Sequence, residues 1–173
     1  RLLFTFLLFF FTHVLPAQKI DWLEIAGSDL FDFSNDLEID KTGNSYLVGT
    51  IRDTAFFDTT TISFAGNGFQ DDKTFFAKYD SSGNIQWVDT ASEDPSGSSK
   101  IAIDDFGNTY FYGNVPAKGI TLPNNTFIQK GGFLVNLKQK NGSVEWVDSL
   151  PDNFSCESMT TDKSGNIYLA GYI

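Results

Sequence analysis

The chain has 173 residues, 22 Asp plus Glu against 12 Lys plus Arg, a net charge of −10, 16% aromatic residues and one cysteine. That length suits a single domain with a sizeable core, and the lone Cys156 excludes an intrachain disulfide. Phosphate groups and anionic lipid both call for concentrated Lys and Arg, so the scattered acids argue against nucleic acid and against a membrane surface as partners.

In chain order, the first element is RLLFTFLLFFFTHVLPA, residues 1–17, with one basic residue, an apolar run from Leu2 to Phe11 broken only by Thr5, and a small residue at Ala17. This is the layout of a secretory signal peptide. A spanning helix needs about 20 apolar residues, so the run is short for a membrane span, with an uncleaved anchor as the rival reading. The expectation is export to the medium or the cell surface, with no membrane insertion once the leader is cleaved. With no initiator Met and only Arg1 as a basic residue, the basic region is expected to be truncated. The one histidine, His13, lies in this leader. A mature chain from Gln18 would then lack the groups for Ser-His-Asp or Cys-His catalysis and for histidine metal centres. No cofactor is expected, and no metal site.

Beyond the leader the sequence repeats itself. LEIDKTGNSYLVGT from Leu37, IAIDDFGNTYFYGN from Ile101 and MTTDKSGNIYLAGY from Met159 align without gaps, their leading acids 64 and 58 residues apart. Asp40, Asp104 and Asp162 head the motif, followed by Gly43, Gly107 and Gly165, then Asn44, Asn108 and Asn166, then Tyr46, Tyr110 and Tyr168. A second element alternates with it: TFFAKYDSSGNIQWVDTAS from Thr74 matches GFLVNLKQKNGSVEWVDSLP from Gly132, and QKIDWLEIAGS repeats its tryptophan at Trp22. Self-similarity at this period marks a repeat architecture.

An Asp at the head of Asp-x-x-Gly bonds back to the next backbone N–H groups, and Gly supplies a left-handed residue, so each motif predicts a β-hairpin. Each unit then holds four strands, in the second unit IAID, TYFYGNV, FLVNL and SVEWVD. SYLVGTI, TYFYGN and TFFAKY are nearly continuously apolar, which predicts sheets covered on both faces. Four-stranded sheets stacked face to face describe the blades of a β-propeller. The fold class expected is therefore all-β: an incomplete propeller over residues 18–173, with an orphan fourth strand at Trp22, two full units and half of a third.

The pattern Asp-x-x-Gly-Asn-x-Tyr-x-x-Gly followed by TFFAKYDSSGNIQW resembles the SBBP (seven-bladed β-propeller) repeats of secreted bacterial proteins, from about Lys19 to Ile173. The likeness is closest in the first unit. The second departs from it with NLKQKNGS in place of Tyr-Asp-x-x-Gly-Asn, which predicts a looser hairpin there. The resemblance implies a propeller, export and membership of a larger surface or secreted protein, and it carries no catalytic residues.

The motif acids also suit a calcium loop, but an EF-hand-like loop wants Gly at its sixth position and here it comes fourth, so turns are the expectation. The repeated Tyr and Trp are expected in the core rather than on a sugar-stacking platform. Cys156, with no histidine to activate it, is expected to be inert. Binding is expected in the links between units, which differ from copy to copy. Their acids are Asp29 and Asp32, Glu93 and Asp94, and Asp152 and Glu157, suited to a cation, a basic peptide or a sugar. The function expected is a non-catalytic extracellular interaction or scaffold module with a protein or glycan ligand. The alternatives are a carbohydrate-active enzyme working by paired carboxylates and a spacer within a large adhesin.

Overall fold

A computed structural model describes residues 20–63, 72–92, 99–115, 118–123 and 125–173. The leader reading falls outside them, as do Glu93 and Asp94. The described chain is all-β, and none of its antiparallel sheets closes into a barrel. Among the described residues no helix is long and apolar enough to cross a membrane.

The first unit forms a four-stranded meander, β2 (Phe33–Ile39), β3 (Ser45–Ile51), β6 (Lys73–Tyr79) and β7 (Ile85–Thr90), paired in that order. The second repeats it with β8 (Lys100–Ile103), β9 (Thr109–Asn114), β12 (Gly132–Leu137) and β13 (Val144–Ser149). The third contributes the hairpin of β14 (Ser155–Thr161) and β15 (Ile167–Tyr172). Three shorter strands, β1 (Ala26–Gly27), β4 (Ala55–Phe57) and β5 (Thr60–Ile62), make a small sheet. The last two, β10 (Ile120–Thr121) and β11 (Phe127–Ile128), make a two-stranded ribbon. Of these short pieces β4 and β5, and β10 and β11, lie in the links between second and third strands, while β1 precedes the first unit.

Both faces of the inner strands are covered, as their unbroken apolar runs require. Tyr46, Val48 and Phe76 leave one face of the first sheet to meet Phe111, Phe133, Val135 and Leu137 of the second in one buried cluster. Phe76 and Phe111 sit edge to face, 4.6 Å apart, a geometry that aromatic quadrupoles favour. The opposite face of the second sheet, with Tyr110, Tyr112 and Leu134, meets Cys156 and Met159 of β14 in another. The first strands β2, β8 and β14 run nearest one another and are tied by polar bonds. The Ile101 N–H donates to Asp36 Oδ2 at 3.1 Å, and Thr161 Oγ1 donates to the Ile103 carbonyl at 2.8 Å.

Two details of the ladders follow from small residues. β2 carries a bulge between Ser34 and Asp36, and β14 one between Cys156 and Ser158, each opposite the motif's last glycine, Gly49 and Gly171. A Cβ on Gly49 would overlap the Phe33 carbonyl oxygen and stand 2.5 Å from the Phe75 ring, so the glycine admits both a bulged neighbour and an aromatic ring.

The strand expected around Trp22 does not form. Residues 20–25 enter no ladder, and only Ala26–Gly27 pairs, with Phe56 and Phe57. A fourth strand pairs with a third strand of its own sheet, and the described residues place none beside Trp22. Its side chain still takes the repeat's seat. Trp22 lies over Gly83, in the turn between the last two strands of the first sheet, just as Trp87 lies over Gly142 in that turn of the second.

Candidate functional site

The two ends of the strands differ in chemistry. At one end lie the motif turns. Asp40 Oδ1 accepts from the N–H groups of Thr42 (2.9 Å) and Asn44 (3.0 Å), while Oδ2 accepts from the Asn44 side-chain amide (2.8 Å) and the Tyr46 hydroxyl (3.3 Å). Asp104 repeats this with Phe106, Asn108 and Tyr110, and Asp162 with Ser164, Asn166 and Tyr168. Gly43, Gly107 and Gly165 all have φ between 82° and 87°, the left-handed region that lets the loop close. Each carboxylate is thus the hub of its own hairpin. In the second unit's other hairpin, Lys138 N–H donates to the Ser143 carbonyl, one residue further on than Asp80 to Asn84, and no aspartate organises the loop. This is the looser turn that NLKQKNGS predicts.

The turn carboxylates titrate accordingly. Burial pushes Asp40 up, but hydrogen bonds from Thr42 and Asn44 outweigh it and hold the group at about 2. Bonds from Asn166 hold Asp162 at about 2 as well, and Asp80 and Asp104 are also lowered. Tyr110 is pushed up to about 12 by burial and by the carboxylate it bonds. A depressed carboxyl pKa means that the unfolded chain binds the proton more readily. Its stabilisation is therefore complete above the ordinary value of 3.8 and is lost as pH falls towards 2. Glu38 and Asp89, both raised by burial, act in the opposite sense but are fewer. We expect the midpoint of thermal unfolding, followed by far-UV circular dichroism, to drop between pH 4 and pH 2. In the Asp40→Asn/Asp162→Asn double variant that drop should be shallower, and an equally steep one would remove the turns from the account.

At the other end of the strands lie the links. Asp29 is exposed ahead of β2. Asp32 is engaged locally, accepting from the Ser28 N–H and hydroxyl and from the Arg52 N–H. Asp152 pairs with Lys130 at 2.6 Å, and Glu157 stands at the β14 bulge, in a strand rather than in a loop. Among the described residues no three His, Cys, Asp or Glu side chains group as a metal site would require. Cys156 is buried, bonds the Ser158 carbonyl and has its thiol pushed up by burial, which keeps it protonated and unreactive.

The link end does carry a polar cleft of about 310 Å³ between the first and second units. The end of β7 supplies Asp89 and Thr90; the Ser92 N–H donates to the carbonyl of Thr121 in β10, and the Ser92 hydroxyl accepts from the Thr121 N–H. Lys73 closes one side and Asn125, at φ 65°, the other. Asp89 is the residue that sequence reasoning missed. It belongs to WVDT, echoed as WVDS at Asp148, and its repetition disguised it as scaffold. The usable signal was position: Asp89 closes the strand that leads into a link unlike its counterparts. No protein-family model matches this chain, and no curated protein matches it in sequence.

Proposed function

We propose that the chain is a non-catalytic interaction module, a run of β-propeller blades in a secreted or cell-surface protein, that binds a polar protein or glycan group at the link end. The observation that carries this reading is the division of labour between strand ends. The repeated turn acids are consumed by their own turns, whereas the cleft at the link end is framed by Asp89 at the end of β7, Ser92 in the link after it, and Thr121 and Asn125 in the loop between the second and third strands of the second unit. Support for blades comes from four-stranded meanders stacked on both faces and from the resemblance to SBBP repeats. Export rests on the leader's layout.

The carbohydrate-active alternative needs two carboxyl groups about 5 to 9 Å apart facing one substrate. Among the described residues the cleft is lined by one carboxylate, Asp89. Asp104 is bound into its turn, and Asp105 pairs with Lys41 at 2.8 Å. The test is to screen the purified chain against glycan and peptide arrays and to assay the same polysaccharides for cleavage. Binding that is lost in Asn125→Ala, with no cleavage, supports the module. Cleavage that disappears in Asp89→Asn overturns it.

A further inference from the structure

The cleft at Asp89 is built from features that the first unit lacks. Counted from the repeat tryptophans, Ser92 stands where the first unit has Gly27, and Thr121 stands where it has Phe56. Gly27 and Phe56 are ladder partners between β1 and β4. In the second unit that place holds a side-chain bond, from the Thr121 N–H to the Ser92 hydroxyl at 2.9 Å, which a glycine cannot make. Two residues, Asp58 and Thr59, join β4 to β5, whereas residues 122–126 join β10 to β11 and bring Pro123 and Asn125 to the cleft. That longer turn is fixed by its own backbone. The Leu122 N–H donates to the Thr126 carbonyl at 2.8 Å, and the Asn125 N–H donates to the Leu122 carbonyl at 3.1 Å. The walls are thus set before a ligand arrives.

The chemistry of the lining selects among ligands. Among the described residues the cleft carries one carboxylate, Asp89, and one ammonium, Lys73, so it is matched overall to neither an anion nor a cation. Asp89 is half-buried. Burial pushes its carboxyl above the ordinary value of 3.8, and the Thr90 N–H, bonded to Oδ1 at 2.8 Å, offsets only part of that. A carboxylate so poorly hydrated gains from hydroxyl donors. The hydroxyls of Ser92 and Thr121 and the amide of Asn125 can each both donate and accept. Leu122 and Pro123 add apolar surface for a C–H face. A volume of about 310 Å³ lies at the small end of ligand pockets, about 300–1,000 Å³, which suits one ring better than an extended peptide. We infer that the cleft holds one neutral pyranose residue of a glycan, with neighbouring hydroxyls donating to Asp89 and a further oxygen meeting Asn125. The inference rests on the reading of the chain as an interaction module whose site is at the link end.

The test is saturation-transfer NMR of the full 173-residue chain with four probes. Three are neutral, the methyl pyranosides of glucose, galactose and mannose, and one is cationic, N-acetyl-argininamide. At least one pyranoside should bind, and the cationic probe should not. Asp89→Asn should weaken that binding about tenfold or more, because hydrogen bonds to an ionised acceptor are the stronger ones. Thr121→Phe should abolish it by filling the cleft. The first unit shows that the fold accepts Phe at this position, since Phe56 is 55% exposed there. Far-UV circular dichroism checks that both variants keep their strands. Binding of the cationic probe in preference to the pyranosides overturns the inference and leaves an interaction module standing. A pyranoside that binds Thr121→Phe as well as wild type sits elsewhere, which also overturns it. So does a chain that binds none of the four, and the glycan and peptide arrays then decide by themselves whether the module reading survives.

Discussion

Phe111→Ala is expected to cost about 3–5 kcal/mol, the range for emptying a large aromatic from a sealed core. Phe111 has no exposed surface and lies between Phe76 of the first sheet, 4.6 Å away, and Phe133 of its own, 5.6 Å away. Around those two rings its buried cluster includes Val48, Ile101 and Val135, whose β-branched side chains have little freedom to collapse into the space. Loss of this ring should separate the first sheet from the second. Chemical denaturation should show either a much lower midpoint or a second transition. Phe106→Ala is the control: Phe106 is 71% exposed in the neighbouring turn, and its loss should move the midpoint little. If both substitutions cost the same, the stacked-sheet account of stability is wrong.

Gly49→Ala is expected to be nearly as damaging, although it adds a single methyl. That methyl would collide with the Phe33 carbonyl oxygen, which is backbone, and with the Phe75 ring, which is itself wedged against Phe57 at 5.0 Å. Overpacking of this kind costs about 1–3 kcal/mol, and a fixed backbone atom argues for the upper end. Near 3 kcal/mol, the melting temperature of a domain of this size should fall by roughly 6–12 °C. Gly43→Ala offers a comparison of another origin. There the penalty is the left-handed φ of 86°, about 1–2 kcal/mol, with the nearest atom, Ser81 Cβ, at 3.1 Å, close but short of the overlap at Gly49. Were Gly49→Ala the milder of the two, the close approach at the bulge would not be a structural constraint.

The parts of this fold that were legible in the sequence are those written more than once. IAID, TYFYGNV, FLVNL and SVEWVD became β8, β9, β12 and β13 within a residue or so, because turn chemistry bounds them and two buried faces demand unbroken apolar runs. The short ribbons were not legible. β4, β5, β10 and β11 are two or three residues long, too short to show a period, and they pair in small sheets separate from the four-stranded ones. The Trp22 segment looked like a strand by analogy with Trp87. A strand, however, is a relation to a partner, and the analogy supplied the side chain's seat without the ladder. The site followed the same rule. Counting acids in the links pointed to Asp29, Asp32, Glu93, Asp94, Asp152 and Glu157, of which Asp29 is exposed and Asp152 is paired with Lys130, while the carboxylate lining the cleft, Asp89, lay in a repeated segment.

The meander has a consequence for how this chain comes off the ribosome. Among the described residues, no ladder pair is further apart in sequence than Ser45 and Tyr79. Each sheet therefore closes on itself before the next one is synthesised, and no strand waits with its backbone unpaired for a partner at the far end of the chain. Contacts this local favour fast formation. The surface that stays open longest during synthesis is the apolar side of the newest sheet, and the unit made next covers it. Growth thus proceeds by condensation of finished sheets, and the interval between units is the period in which a chaperone would find something to hold.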